Sequence, residues 1–286
     1  MTVVAIIAQG MMGAGVGRRL HESGAQIRTL LAGRSAGSAE RARAAGMVPA
    51  ADEHTLLAGA DFFLSILPPA EAEPLARRLA PALKSLGRKP AYVDCNAVSP
   101  QSAIRIGAIV AATGADFVDA GIIGGPPRPN YSPTIYASGP TASQTAVLRD
   151  WGIDWRVIDG PIGAASALKM SYAGITKGTT AIASAMLLGA ARFGCGDALI
   201  AELTESQPEM LARMRSGIPR MYDKAYRWVA EMQEISDFLE QNPPSRDIYA
   251  AISRLYADLA SAYSESEPGA DNAIKMLDRV LGRAKG

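Results

Sequence analysis

Histidine and cysteine are scarce in this 286-residue chain: two of each, His21, His54, Cys95 and Cys195. So few ligands leave little for a zinc cage, a disulfide framework or a histidine-based triad, and no metal is expected. A large charge of either sign is also lacking: 29 Lys and Arg stand against 28 Asp and Glu, a net +1. No overall field then gathers nucleic acid or an anionic membrane, and neither is expected as a partner. The opening MTVVAIIAQG has no basic segment and no small-residue cleavage site, so it reads as a first strand. The most apolar long stretch, from Gly163 to Arg192, carries Lys169 and Lys177 and reads as a buried helix, not a membrane span. These absences point to a cytosolic (cytoplasmic) chain whose chemistry, if it has any, is carried by a cofactor or by residues other than histidine.

What is present is a packed globular composition, 48% hydrophobic and 20% charged, long enough for two domains. The first half alternates short β-rich runs with Ala/Arg/Glu-rich helical stretches. Strands are predicted at Val3–Ala8, Gln26–Leu31, Asp61–Leu67, Ala91–Asp94, Asp116–Asp119 and Thr134–Ser138, with helices such as Gly15–Ser23 and Ala36–Ala45 between them. Alternation of this kind predicts an α/β Rossmann-type, doubly wound parallel sheet over residues 1–160. After Gly160 it stops. Gly163 to Phe193 holds no proline and predicts one helix of about 30 residues. Further amphipathic helices follow, so residues 161–286 are expected to form an all-α domain entered through that helix and serving substrate binding and dimerisation.

Strand one runs into Ala8-Gln9-Gly10-Met11-Met12-Gly13 at the mouth of a helix. This is the G-x-G-x-x-G dinucleotide fingerprint with alanine at its first glycine. Glycine serves there because a pyrophosphate must approach backbone N–H groups at a positive helix end, where a Cβ would intrude. Past the second strand, where an acid would meet a ribose 2′-hydroxyl, the chain has Arg34 and Ser35 and no acid before Glu40. An arginine and a hydroxyl suit a 2′-phosphate, so NADP is the expected cofactor.

In order along the chain, IIAQGMMGAG, GRS, DFFLSILPP, VDCNAVSP, DAGIIGG and GAASALKMSYA resemble the successive motifs of the β-hydroxyacid dehydrogenase superfamily, which includes 6-phosphogluconate and 3-hydroxyisobutyrate dehydrogenases. The C-terminal part, with KAYRWVAEMQEI, is similar to a poorly characterised helical domain found behind such Rossmann domains. The resemblance implies that Gln9, Gly10, Met11, Met12, Gly13, Arg34, Ser35, Leu67, Pro68 and Asn96 bind the cofactor, and that Lys169 is the catalytic acid and base. Independently, Lys169 is the one ionisable residue in the apolar first turns of the long helix, on a face with Ala165, Tyr172 and Ala173.

Two departures bear on substrate. The family's substrate-loop serine is Ile123 here, and the asparagine one turn after the lysine is Ala173. Apolar surface replaces two hydrogen-bonding groups, so a substrate bulkier and less acidic than a small hydroxy acid is expected, lined by Ile123, Gly124, Gly125, Tyr172, Ala173 and Trp228. The helical spacing of Tyr222, Tyr226, Trp228 and Met232 is first that of a core stripe, with a wall of the substrate pocket as the second reading, and Asn96 could equally form a strand-end turn. His21 and His54 read as solvated, Cys195 as a packing residue and Lys177 as a structural or rim residue. Two rival functions stand beside a carbonyl/alcohol oxidoreductase: an imine reductase, whose members commonly carry aspartate or tyrosine at the lysine position, and a non-catalytic NADPH-binding sensor. Apolar surface in excess of what the small α domain can bury predicts a homodimer through the helical domain, with Gly174-x-x-x-Gly178 among its features.

Overall fold

The computed structural model describes residues 2–264 and 272–283. The chain divides into two compact units, Met1–Met170 and Ser171–Gly286, the division falling inside the long helix. The first unit holds strands β1 (Val3–Ile7), β2 (Gln26–Thr29), β3 (Val48–Pro49), β4 (Phe62–Ser65), β5 (Ala91–Asp94), β6 (Phe117–Ile123), β7 (Thr134–Ser138) and β8 (Asp154–Val157). Helices α1 (Met11–Glu22), α2 (Ala36–Ala44), α3 (Glu53–Leu57), α4 (Pro69–Ser85) and α5 (Pro100–Ala111) connect the parallel strands, and a 3-10 helix (Ala142–Trp151) precedes β8. The sheet order is β3-β2-β1-β4-β5-β6-β7-β8. Pairing is parallel throughout except at β6 with β7.

Both faces of this sheet are covered, which is why its central strands are continuous apolar runs. Successive residues of β1 alternate between two cores: Val4 and Ile6 pack with Val16, Leu20, Ile27 and Val93, whereas Ala5 and Ile7 pack with Phe63, Leu79, Tyr92 and Val110. Each fully buried Val, Ile or Leu side chain there contributes about 1.5–3 kcal/mol. Strand β6 runs four residues past the predicted Asp119, because β7 pairs with it residue by residue from Asp119↔Ser138 to Ile123↔Thr134. The edge strands β3 and β8 escaped the sequence pattern; β3 is two exposed residues ending in proline, and β8 buries only Trp155 fully. Helix α1 begins at Met11, not Gly15, so the glycine motif lies within its first turns.

Helix α6 (Ala164–Arg192) runs 29 residues, about 44 Å, from the first unit into the second. The second unit continues with α7 (Gly196–Ser206), α8 (Pro208–Met221), α9 (Ala225–Phe238), α10 (Pro243–Ser264) and α11 (Ala273–Val280). Gly174 and Gly178 admit Tyr249 of α10: a Cβ on either would lie 3.0 or 3.3 Å from its phenol oxygen. That glycine pair therefore serves packing within the chain. Among the described residues no helix is long and apolar enough to cross a membrane.

Candidate active site

The ends of the parallel strands carry the candidate residues of the first unit. Where β1 stops, Gly10 caps α1 in an extended conformation, and the first helical bond runs from Ala14 N to Gly10 O at 2.9 Å. The N–H groups of Met11, Met12 and Gly13 precede that bond and sit at the positive helix end, a cradle for an anion. A Cβ on Gly13 would lie 1.9 Å from the Ala8 carbonyl oxygen, while one on Gly10 would meet nothing within 4 Å. Gly13 therefore closes the turn and Gly10 keeps its outer side open. Gln9 is fully buried; its amide donates to Thr29 Oγ1 and to Leu30 O at 3.0 Å, tying β1 to β2. Its Oε1 is buried with no hydrogen-bond partner among the described residues. This open cradle, with a side a Cβ would fill, fits a dinucleotide pyrophosphate.

Beyond β2, the Ser35 hydroxyl caps α2 by accepting from Ser38 N at 3.3 Å, and Arg34 is exposed beside it. Arg41, which sequence reasoning missed, donates to Gln9 O at 2.9 Å and to Ser38 Oγ at 3.1 Å. Its signal was present as an arginine one turn after the capping serine pair. Arg34, Arg41, Ser35 and Ser38 thus offer guanidinium and hydroxyl donors next to the glycine turn, a donor set suited to a phosphate dianion. At the ends of β4 and β5, Asn96 is buried and accepts from Leu67 N. Its amide donates to Ser65 Oγ at 2.8 Å and to Asp94 Oδ1. Its oxygen thereby fixes the Leu67-Pro68 step, and its amide ties that step to the ends of β4 and β5.

Lys169 is half-buried on α6, and its stem lies against β6: a Cβ on Gly121 would be 2.9 Å from Lys169 Cβ and 2.9 Å from Ala165 O. Two residues along the same strand, Ile123 leads into Gly124 and Gly125. Gly124 has φ +124°, and a Cβ there would meet the Tyr131 hydroxyl at 2.3 Å, so only glycine fits. Gly125 N donates to that hydroxyl at 3.1 Å, and the loop closes on itself through Arg128 and Tyr131. Arg19 of α1 holds the loop by donating to Arg128 O at 2.8 Å.

The first turn of α6 is held by side chains that the sequence did not flag. Asp119 Oδ2 accepts from Gly163 N at 2.9 Å, Ser166 N at 3.0 Å and Ser138 Oγ at 3.2 Å. Its Oδ1 accepts from Ser166 Oγ at 2.6 Å, and Ser138 Oγ in turn accepts from Ala165 N at 2.9 Å. Burial pushes the Asp119 carboxyl above the usual carboxylate range, and these donors pull it back.

In the second unit Tyr172 is half-exposed and Ala173 buried. Trp228 packs its ring edge-on to Tyr256, with centroids 5.2 Å apart, and the Lys177 ammonium sits 4.9 Å from the Trp228 ring centre. Lys177 forms an ion pair with Glu231, 54 residues away in sequence. Of the expected helical stripe, Tyr222 and Met232 are buried while Tyr226 is exposed.

Residues 3–149 match the family described as the NAD binding domain of 6-phosphogluconate dehydrogenase, and residues 190–259 match a domain of unknown function, DUF1932. An uncharacterized 28.5 kDa protein of Methanothermus fervidus is 27% identical over 215 residues, 75% of this chain and 82% of its own. A solved conserved protein of unknown function, described as structurally similar to 3-hydroxyacid dehydrogenases, is 28% identical with TM-score 0.70, the match covering 90% of this chain and 96% of that one. Mycobacterium tuberculosis 3-hydroxyisobutyrate dehydrogenase, solved with L-serine, shares the fold at TM-score 0.75 and 17% identity, over 99% of this chain and 98% of that one. With its glycine turn after β1 and a helical unit following in sequence, the chain belongs to the family of the 6-phosphogluconate dehydrogenase NAD binding domain, within the β-hydroxyacid dehydrogenase-like superfamily.

Proposed function

We propose that the protein is an NADP-dependent oxidoreductase acting on an alcohol/carbonyl pair, with Lys169 as general acid and base. The observation that carries this reading is the contact of the Lys169 stem with Gly121, on the strand that runs directly into Ile123, Gly124 and Gly125. A bound nicotinamide dinucleotide supplies or accepts the hydride. Gln9, Gly10, Met11, Met12 and Gly13 hold its pyrophosphate, and Arg34 with Ser35 and Arg41 selects a 2′-phosphate. Leu67 and Pro68, fixed by Asn96, flank the nicotinamide end. Lys169 delivers a proton to the carbonyl oxygen in reduction and removes it in oxidation. Ile123 and Ala173 leave no hydroxyl or amide for a small carboxylate, which favours larger, less polar substrates walled by Tyr172 and Trp228.

Residues 161–286 provide this substrate wall and a dimer contact, residues 1–160 the cofactor site. Outward-facing Tyr172, Ile175, Ile182, Met186 and Phe193 recur at heptad-like spacing along α6 and support a homodimer through the helical unit. The free thiols of Cys95 and Cys195 suit the reducing cytosol.

The test follows NADPH absorbance with the purified protein against ketones, alcohols and imines, small hydroxy acids included. Ketone reduction is expected, and Lys169→Ala should lower turnover about 100- to 10,000-fold while leaving the NADPH dissociation constant within about threefold. Undiminished turnover by Lys169→Ala, or activity on imines alone, would overturn the reading.

A further inference from the structure

Taking Lys169 as the proton carrier, we infer that Asp119, with Ser138 and Ser166, is a positioning clamp that sets the rotation and depth of α6 and so aims the lysine. The argument starts from the backbone donors of the helix's first turn. A helix usually caps itself with a Ser, Thr, Asp or Asn just ahead of its first residue. Here that place is taken by Gly163, at φ +101°, which has no side chain to offer. The amides are nevertheless all accounted for. Ala164 N bonds Pro161 O at 3.1 Å and Ala167 N bonds Gly163 O at 2.8 Å, while Gly163, Ala165 and Ser166 are taken by Asp119 and Ser138. The cap comes from two neighbouring strands, 27 to 47 residues away in sequence.

Residues two apart on a strand share a face, so Asp119 and Gly121 both meet α6 from β6. Asp119 fixes the helix along and about its axis, and its charge suits the positive helix end. Gly121 fixes the separation, since a methyl there would strike Ala165 O and Lys169 Cβ. Lys169 follows Ser166 by three residues and therefore lies on the clamped face. A slip of one residue would move the lysine about 1.5 Å along the axis and turn it about 100°. Displacements near 1 Å in a reacting constellation cost on the order of 100-fold in rate. The same strand continues into Ile123, Gly124 and Gly125, so lysine and loop share one ruler.

The clamp is tested in the full-length protein with Asp119→Asn, Ser166→Ala and Gly121→Ala. Hydrogen exchange of residues 163–169 should rise about tenfold in Ser166→Ala and further in Asp119→Asn, whose amide turns donors toward donors. Trace acetylation of Lys169, read by mass spectrometry against exposed Lys84, should change by more than about threefold, with NADPH affinity held within about threefold. On the best substrate found, turnover should fall about 10- to 100-fold with little change in KM. The same substitutions should add no further loss in a Lys169→Ala background.

Unchanged Lys169 labelling in folded variants, or losses that add in full to Lys169→Ala, would overturn the clamp. If Asp119→Asn does not fold, Ser166→Ala and Gly121→Ala decide, since both keep the carboxylate. Should Lys169→Ala itself retain turnover, the functional reading fails while exchange and labelling still judge the clamp.

Discussion

Removing the carboxylate of Glu231 isolates a lysine inside the helical unit. The Lys177 and Glu231 side chains are only 18% and 11% exposed, the ammonium lies over Trp228, and the Lys177 carbonyl accepts the Tyr256 hydroxyl at 2.6 Å. Breaking a fully buried pair costs about 3–5 kcal/mol, because the remaining charge is left in a poor solvent. Residual exposure and the surviving Trp228 contact, itself about 0.5–2 kcal/mol, reduce the expected cost of Glu231→Leu to about 2–4 kcal/mol. Replacing both partners, as Lys177→Met with Glu231→Leu, removes the stranded charge and should restore most of that loss. Trp228 is the only tryptophan of this unit, so urea unfolding followed by its fluorescence, in a Trp151→Phe/Trp155→Phe background, reads the helical unit directly. A loss below about 1 kcal/mol in Glu231→Leu, or a double variant no more stable than the single one, would show that water already solvates the pair and refute the reasoning.

Other substitutions probe the first unit. Arg34→Asp should remove a preference for NADPH over NADH of about thirtyfold, the worth of roughly 2 kcal/mol of charge-assisted bonding; equal dissociation constants in the unmodified protein would contradict it. Gly13→Ala drives a methyl into the Ala8 carbonyl, a backbone atom that cannot step aside, and should cost about 1–3 kcal/mol in denaturant titrations together with most of the dinucleotide affinity. Ile123→Ser should raise kcat/KM for small hydroxy acids relative to aromatic ketones by about tenfold. Arg156, then Thr134, hold the Asp154 carboxyl below its ordinary value. Its stabilisation is thus present above the unfolded-state value and lost as pH falls through the lower folded one. The stability gap between wild type and Asp154→Asn should accordingly narrow from pH 5 toward pH 2 in thermal melts.

Periodicity and punctuation exposed most of the first unit. Continuous apolar runs located β1, β4 and β5, and the Ala8–Gly13 stretch announced the turn after β1. What stayed hidden was tertiary in origin. Strand β6 continues to Ile123 because β7 lies beside it, and β8 carries one buried side chain in four, too few for a pattern. The α1 start was misplaced because glycines that lower helix propensity are required there by close approach of the Ala8 carbonyl. Asp119 looked like one motif letter, since nothing local says that its partners are Gly163 and Ser166. Lys177 and Glu231 are linked only by the packing of α9 and α10 with α6.

The borrowed cap of α6 has a consequence for modularity. A segment beginning near residue 161 would carry the helix without Asp119 and Ser138, so its first turn would fray, and that turn leads directly to Lys169. Helical units of related enzymes should therefore exchange cleanly only when the joint lies after Lys169, leaving the aspartate, the serine pair and the lysine with one parent. Chimeras joined before Gly163 would mix a cap evolved for one helix with the helix of another, and their loss of activity would report on register rather than on substrate preference.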